Sequence, residues 1–144
     1  MKQLILLSLF LPFAAKAQFT IVNTSTISLL ELRQGEKWPI NLQRVTKESD
    51  TCYVLQFRDQ QSANSDIMTT LKFPNLVQLR YFQEGLAALK NGATGDIAKF
   101  KDYTIKRVDI KKDGVWYILS CEMGSITNFK QPEADKMIAA IATL

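Results

Sequence analysis

The sequence predicts an α+β fold in which an antiparallel β-sheet is packed by two helices. Apolar and polar residues alternate over most of residues 26–58 and 100–123, a pattern typical of strands that bury one face. Two segments, 75–91 and 132–144, instead repeat apolar residues at spacings of three and four, which indicates amphipathic helices. Each helical segment follows a group of strands, so we expect two pseudo-repeated halves, each built as strands and then a helix.

Short matching segments support the repeat. YVLQF at 53–57 parallels YILSC at 117–121, and TTLKFP at 69–74 parallels SITNFKQP at 125–132. The alternative is that any small α+β protein contains such pieces, and both explanations stay open at this point.

The first strand is predicted over residues 26–33. Its apolar phase slips between Leu29 and Leu30, which indicates a β-bulge, because one extra residue exchanges the buried and exposed faces. Alternation resumes over 38–42, where Pro39 favours an edge strand because proline donates no hydrogen bond to a ladder.

A hairpin and a helix complete the first half. Residues 52–58 and 67–73 are two alternating runs joined by the polar loop 59–66, which predicts an antiparallel pair. In the helix that follows, Asn75 or the residues about Pro74 are the predicted N-cap, and Gly85 lies in the interior, where close packing against the sheet is expected. Four of its residues share one face: Leu79, Phe82, Leu86 and Leu89.

The second half begins with a long strand predicted over residues 100–110. Asp113-Gly114 favours a tight hairpin turn into a return strand at 115–123. The return strand is apolar on both faces and is therefore predicted to be central, with Trp116 in the core. Pro132 suits the first turn of the last helix.

The N-terminus predicts a signal peptide over residues 1–17. Lys2 precedes an apolar run at 4–15, and Ala15-Lys16-Ala17 has the form of a signal peptidase site. We expect residues 18–144 to form a single exported domain, periplasmic or secreted, with no membrane span after cleavage. Loss of Lys2 and Lys16 halves the formal net charge of +4, and so small an excess argues neither for nucleic acid nor for anionic lipid as a partner.

Cys52 and Cys121 are the only cysteines. In an exported protein they invite a disulfide. Two buried free thiols are the other explanation, since both lie in apolar strand patterns and cysteine is common in cores. The sequence leaves this choice open.

The chain contains no histidine, which removes the commonest general base and most transition-metal sites. It also lacks a nucleophile elbow, a phosphate-binding loop and a Cys-x-x-Cys pair. Glu31, Glu48 and Glu122 are the carboxylates considered for hydrolytic chemistry. We therefore predict no enzyme activity, no cofactor and no metal.

A basic and aromatic segment is the main candidate binding surface. Interleaved lysines and aromatic rings can hold an anionic glycan, a peptide or a phosphate group. The other interpretation is the solvated face of a strand, whose lysines discourage edge pairing. The candidate residues are Lys99, Lys101, Tyr103, Lys106 and Arg107, with Trp38 as a separate interface candidate.

These observations favour an exported, non-enzymatic binding protein for a protein or glycan, and a homodimer is compatible with that function. The first alternative is a hydrolase that uses carboxylates. The second is a binder of single-stranded nucleic acid, because the layout resembles the tandem strand-then-helix modules of the Whirly and PUR type; this resemblance is architectural, without a shared motif. An enzyme needs carboxylates converging in one pocket, and a nucleic-acid binder needs a continuous basic groove.

Overall fold

The computed structural model describes residues 23–61 and 67–144 and contains two antiparallel four-stranded sheets. Sheet 1 comprises β1 (Thr24–Leu32), β2 (Ile40–Lys47), β3 (Asp50–Arg58) and β4 (Met68–Phe73) and is followed by α1 (Leu76–Lys90). Sheet 2 comprises β5 (Ile97–Lys99), β6 (Tyr103–Ile110), β7 (Gly114–Cys121) and β8 (Ile126–Lys130) and is followed by α2 (Gln131–Ala142). The α+β class and the strands-then-helix layout of both halves are confirmed.

Sheet 1 contains the predicted bulge and hairpin. The register of β1 on β2 shifts between Ser28 and Leu30, so the apolar phase slip is a bulge, and β3 pairs with β4. The edge position inferred from Pro39 is wrong, because β2 pairs with a strand on each side. Pro39 lies just before β2, where its missing N–H leaves no gap in the ladder.

Sheet 2 departs from the prediction at its start. The expected long strand at 100–110 begins only at Tyr103, because residues 100–102 form the turn of the β5–β6 hairpin. β7 is internal, as its two apolar faces predicted. Its inward side chains Tyr117 and Leu119 are fully buried, as is Phe129 of β8.

The helices form where the sequence places them. The Asn75 side chain accepts a hydrogen bond of 3.0 Å from the backbone N–H of Gln78 and caps α1, and the four predicted stripe residues are all buried. In α2, the backbone N–H of Lys130 donates to Glu133 Oε2 at 2.7 Å, which satisfies a free donor at the helix start.

Each helix packs against strands from both halves. α1 contacts β3 and β4 but also β5, β6 and α2, while α2 contacts β7, β8 and β1. Phe73, Phe82 and Tyr103 meet at centroid distances of 5.4 to 6.0 Å and join β4, α1 and β6. The buried residues of both halves consequently form one hydrophobic cluster.

The two sheets also meet where the loop that follows β3 bonds to the start of β8. The Gln60 N–H donates to the Ile126 carbonyl at 2.8 Å, and the Ile126 N–H donates to Asp59 Oδ1 at 2.9 Å. Asp59 is buried and satisfies backbone donors at the junction, so it acts as a structural carboxylate.

The predicted signal peptide at 1–17 and most of the polar loop 59–66, namely residues 62–66, lie outside the described residues. Within residues 23–61 and 67–144, no helix is both long and apolar enough to cross a membrane.

Candidate binding cleft between the two sheets

Each sheet has one face covered by helices and one face without such cover. Trp38 lies in the loop between β1 and β2, and Trp116 lies on β7 beside the inward-facing Tyr117, so its side chain is on the uncovered face. These are the only two tryptophans of the chain, and 77 residues separate them along the sequence.

Both tryptophans line one open cleft of about 630 Å³ at the junction of the sheets. The remaining described lining residues are polar or charged apart from one proline: Arg33, Glu36, Gln60, Asn128, Lys130, Pro132 and Glu133. The two indole rings and Pro132 are therefore the apolar side chains of a cleft that is otherwise lined by hydrogen-bonding residues.

Cations pack on both indole rings. Lys37 Nζ lies 5.3 Å and Arg58 Cζ 5.0 Å from the centroid of Trp38, and Lys130 Nζ lies 4.8 Å from that of Trp116. Arg58 also donates through Nη1 to the Lys37 carbonyl at 3.1 Å. These cation–π contacts favour the observed orientations of the two rings.

Trp116 does not lie in the core, contrary to the prediction. It is half-buried, and its Nε1 donates to Asp113 Oδ2 at 2.9 Å. The other oxygen of Asp113 binds Lys130 Nζ at 2.8 Å. The hydrogen bond from Lys130 holds the pKa of Asp113 below its ordinary value, so this carboxylate stays ionised and fixes both neighbours.

An ion pair between the halves forms one wall of the cleft. Arg33 donates through Nη2 to Glu133 Oε2 at 2.8 Å and to the Asn128 carbonyl at 3.0 Å. Both side chains are largely buried, with exposures of 13% for Arg33 and 18% for Glu133. Arg33 has φ of 57°, a left-handed conformation uncommon in residues other than glycine, and its side chain reaches α2 from this turn.

The Arg33 pair controls the ionisation of Glu133. Burial by itself raises the pKa of this carboxyl, but the hydrogen bonds from Arg33 and from the Lys130 backbone outweigh it and hold the pKa below its ordinary value. Glu133 is therefore an acceptor at neutral pH. A proton-donating carboxylic acid would need the opposite shift.

Neutral amides complete the site. Gln60 Nε2 donates to Asn128 Oδ1 at 3.3 Å, so the amides from the end of β3 and from β8 orient each other across the sheet junction. Each amide has further donor and acceptor capacity, which suits a ligand rich in hydroxyl groups.

The structure distributes the predicted basic and aromatic surface over different environments. Tyr103 is buried, with 8% exposure, and burial raises the pKa of its phenol. Arg107 donates to the carbonyls of Leu89 and Lys90 at the end of α1 and forms a salt bridge to Asp109 at 2.8 Å. Neither residue faces solvent as a free binding group, because β6 directs both toward the helices.

The lysines of that set are exposed. Lys99 ends β5, Lys101 lies in the turn before β6, and Lys106 is on the uncovered face of β6. Trp38 is in another part of the molecule, beside Trp116. The cleft between the two tryptophans was absent from the sequence-based prediction.

Both cysteines are free thiols and lie on strands of different sheets. Cys52 is on β3, on the face opposite to the buried Tyr53. Cys121 ends β7, and burial, followed by the charge of Asp59, raises the pKa of its thiol. This shift disfavours the reactive thiolate.

The three carboxylates considered for catalysis are exposed on separate elements. Glu31 is on β1, Glu48 is in the turn before β3, and Glu122 follows β7. Instead, the cleft contains Glu36 and Glu133. Over residues 23–61 and 67–144, no group of three or more potential ligands is arranged to hold a metal ion.

The fold and the cleft thus define an α+β protein with two antiparallel sheets and an aromatic cleft at their junction. The chain matches no protein-family model and no curated protein. Its function is therefore inferred from the chemistry of the cleft.

Proposed function

We propose that the protein is an exported, non-enzymatic binding module that holds a glycan in the two-tryptophan cleft. The observation that carries this proposal is the placement of both tryptophans in one open cleft, among amide, carboxylate and guanidinium groups that already have fixed partners. Indole rings offer flat apolar surfaces to the C–H faces of sugar rings, and fixed polar groups can bind their hydroxyls.

A peptide fits the cleft less well. Peptide recognition commonly relies on pockets that receive apolar anchor side chains. Apart from the two tryptophans and Pro132, the described lining has no apolar side chain. Nucleic acid is also disfavoured there, because Glu36 and Glu133 balance the charges of Arg33 and Lys130 among the lining residues.

Binding without hydrolysis is supported by the state of Glu133. Its bonds to Arg33 and to the Lys130 backbone favour the ionised form, whereas a glycosidase needs one protonated carboxyl beside the scissile bond. We expect oligosaccharides incubated with the protein to remain intact by mass spectrometry. Release of shorter products would instead support the hydrolase alternative.

Intrinsic fluorescence can test glycan binding, because both tryptophans of the chain line the cleft. A panel of neutral oligosaccharides is titrated, and at least one is expected to shift the emission saturably. By calorimetry, Trp38→Ala and Trp116→Ala should each weaken binding at least tenfold, about 1.4 kcal/mol. Tyr81→Ala, an exposed aromatic on α1, is the matched control and should bind normally.

The proposal is refuted if no oligosaccharide, neutral or acidic, shifts the emission, or if both tryptophan variants bind as the wild type does while retaining its circular dichroism. Export has its own test. N-terminal sequencing of protein recovered outside the cytoplasm should begin at Gln18, and an intact Met1 would contradict the predicted signal peptide.

A further inference from the structure

The uncovered face of sheet 2 continues from the cleft across the strands. Register places Val108, Trp116 and Lys130 in one cross-strand row, and Lys106, Ile118 and Asn128 in the adjacent row. Trp116, Asn128 and Lys130 also line the cleft. A ligand chain that leaves the cleft past Trp116 therefore passes directly onto this face.

The charged residues of the strands on this face are all lysines, and Asp113 from the turn before β7 reaches Lys130 and Trp116 at the edge of the face. Side chains alternate along each strand, so those on the side opposite Tyr103, Tyr117 and Phe129 belong to the uncovered face. In β5 to β8 this set contains Lys99, Lys106 and Lys130 and no aspartate or glutamate. The helices cover only the other side of the sheet.

Two of these lysines have no ionic partner in the described part of the chain. Lys130 binds Asp113, but the salt bridges found within residues 23–61 and 67–144 do not include Lys99 or Lys106. Lys99 and Lys106 are both exposed and lie on the paired strands β5 and β6. In this pairing Lys99 lies opposite Thr104, and Lys106 lies opposite Ile97. Their charges are available to an anion.

A second copy of the chain is disfavoured as the occupant. Self-association through this face would bring Lys99 and Lys106 of two copies together, and the Asp113 carboxylate at its edge is already bound to Lys130. An anionic partner is complementary to it. The charge density is modest, with one lysine each on β5, β6 and β8, which fits a polymer with one carboxylate per sugar better than a densely sulfated chain.

We propose that the ligand is an acidic polysaccharide of the polyuronate class, whose sugar rings enter the two-tryptophan cleft and whose carboxylates continue along the lysines of sheet 2. This inference rests on the proposed glycan-binding function and specifies its ligand. Lys106 and Lys130 lie two strands apart, about 10 Å across the sheet, so more than one carboxylate of an extended chain can contact the face.

The test compares an oligogalacturonate with its fully methyl-esterified form, which keeps the sugar rings and removes the charge. At low salt the acidic form is expected to bind at least tenfold more tightly, and added salt should narrow the difference because these lysines are exposed. The double variant Lys99→Gln/Lys106→Gln should lose most of the preference and bind the ester as the wild type does. Lys47→Gln/Lys72→Gln removes the same charge from exposed sites on sheet 1 and should retain the preference.

The outcomes separate the two proposals. If the ester binds in the cleft and the acid binds no more tightly, or if the Lys99/Lys106 variant keeps the preference, the polyuronate inference fails and glycan binding stands. Tighter binding of a sulfated oligosaccharide or of single-stranded DNA than of the uronate, at matched charge, also overturns it. If neither the oligogalacturonate nor its methyl ester binds, and no neutral oligosaccharide shifts the tryptophan emission, the glycan-binding proposal fails as well.

Discussion

Replacement of Gly85 by alanine tests how α1 is seated on the second half of the molecule. A β-carbon at this position would lie 2.6 Å from Cζ and 3.1 Å from Cε2 of Phe100. Phe100 lies in the turn between β5 and β6, and its ring stacks on Tyr103 with a centroid distance of 4.5 Å and an interplanar angle of 17°. The ring must therefore shift away from its stacking partner to admit the methyl group.

Two opposing effects set the magnitude of this change. Alanine favours a helix over glycine by about 1 kcal/mol, while overpacking of a fitted site commonly costs about 1 to 3 kcal/mol. Because Tyr103 is buried and fixes one face of Phe100, we expect the steric cost to dominate. Gly85→Ala should lower the free energy of unfolding by about 1 kcal/mol in urea denaturation.

A double-mutant cycle supplies the control. In a Phe100→Ala background the obstructing ring is absent, and the nearest remaining contact is Ala98 Cβ at 3.4 Å, an ordinary van der Waals distance. There Gly85→Ala should stabilise the protein by about 0.5 to 1 kcal/mol through helix propensity alone. The reasoning is refuted if Gly85→Ala stabilises the wild type, or if the two substitutions add within about 0.5 kcal/mol.

Three further measurements test the cleft, the thiols and the start of α1. Glu133→Gln should lower the free energy of unfolding by about 1 kcal/mol at pH 7, because it weakens the largely buried pair with Arg33. Since the native-state pKa of Glu133 is depressed, its contribution is fully present above the ordinary carboxyl pKa of about 4.3 and is lost as the pH falls through the native-state value. The difference between wild type and variant should therefore shrink below about pH 4 in urea titrations, and a constant difference would contradict the assignment. Alkylation in denaturant without reductant should label both Cys52 and Cys121, with Cys121 slower in the native protein because burial raises its pKa; a mass spectrum of a bridged chain would oppose this. Asn75→Ala should cost about 1 kcal/mol by removing the N-cap of α1, and unchanged stability would show the cap to be dispensable.

Local patterns in the sequence predicted local structure well. The bulge in β1 follows from one slip of apolar phase, since side chains alternate strictly along a strand. The stripe of α1 and its Asn75 cap follow from helical spacing and from the chemistry of a free N–H group. These features depend on residues close together in the chain.

Each sheet pairs only strands that are consecutive in the chain, and α1 separates the two sheets in sequence. Residue patterns do not specify that β4 and β5 remain unpaired, or which face of each sheet the helices cover. The same limit explains the errors at Tyr103 and Arg107. Their spacing indicated a strand, but the side that the helices cover decides that one is buried and that the other binds the end of α1. The predicted basic and aromatic binding surface was therefore larger than the exposed surface that the structure shows, because it included Tyr103 and Arg107.

The cleft could not be predicted from the sequence for a related reason. Trp38 and Trp116 are distant in sequence, and they approach because the end of β3 bonds to the start of β8. The sequence does place Lys37 next to Trp38, and this lysine packs on the Trp38 ring. That adjacency does not identify Trp116 or the lysine that packs on it, Lys130. The sequence around Trp38 therefore does not indicate that Trp116 lies across the cleft from it.

The packing of α1 on strands that follow it in the chain bears on the order in which the protein is made. When a nascent chain has emerged only through α1, the face that carries Phe82 still lacks β5, β6 and α2, and Tyr103 has yet to be synthesised. The first half then has only sheet 1 against which to bury its apolar stripe. We therefore expect stable folding to wait for nearly the whole polypeptide, which would keep a newly made chain unfolded during the export proposed above.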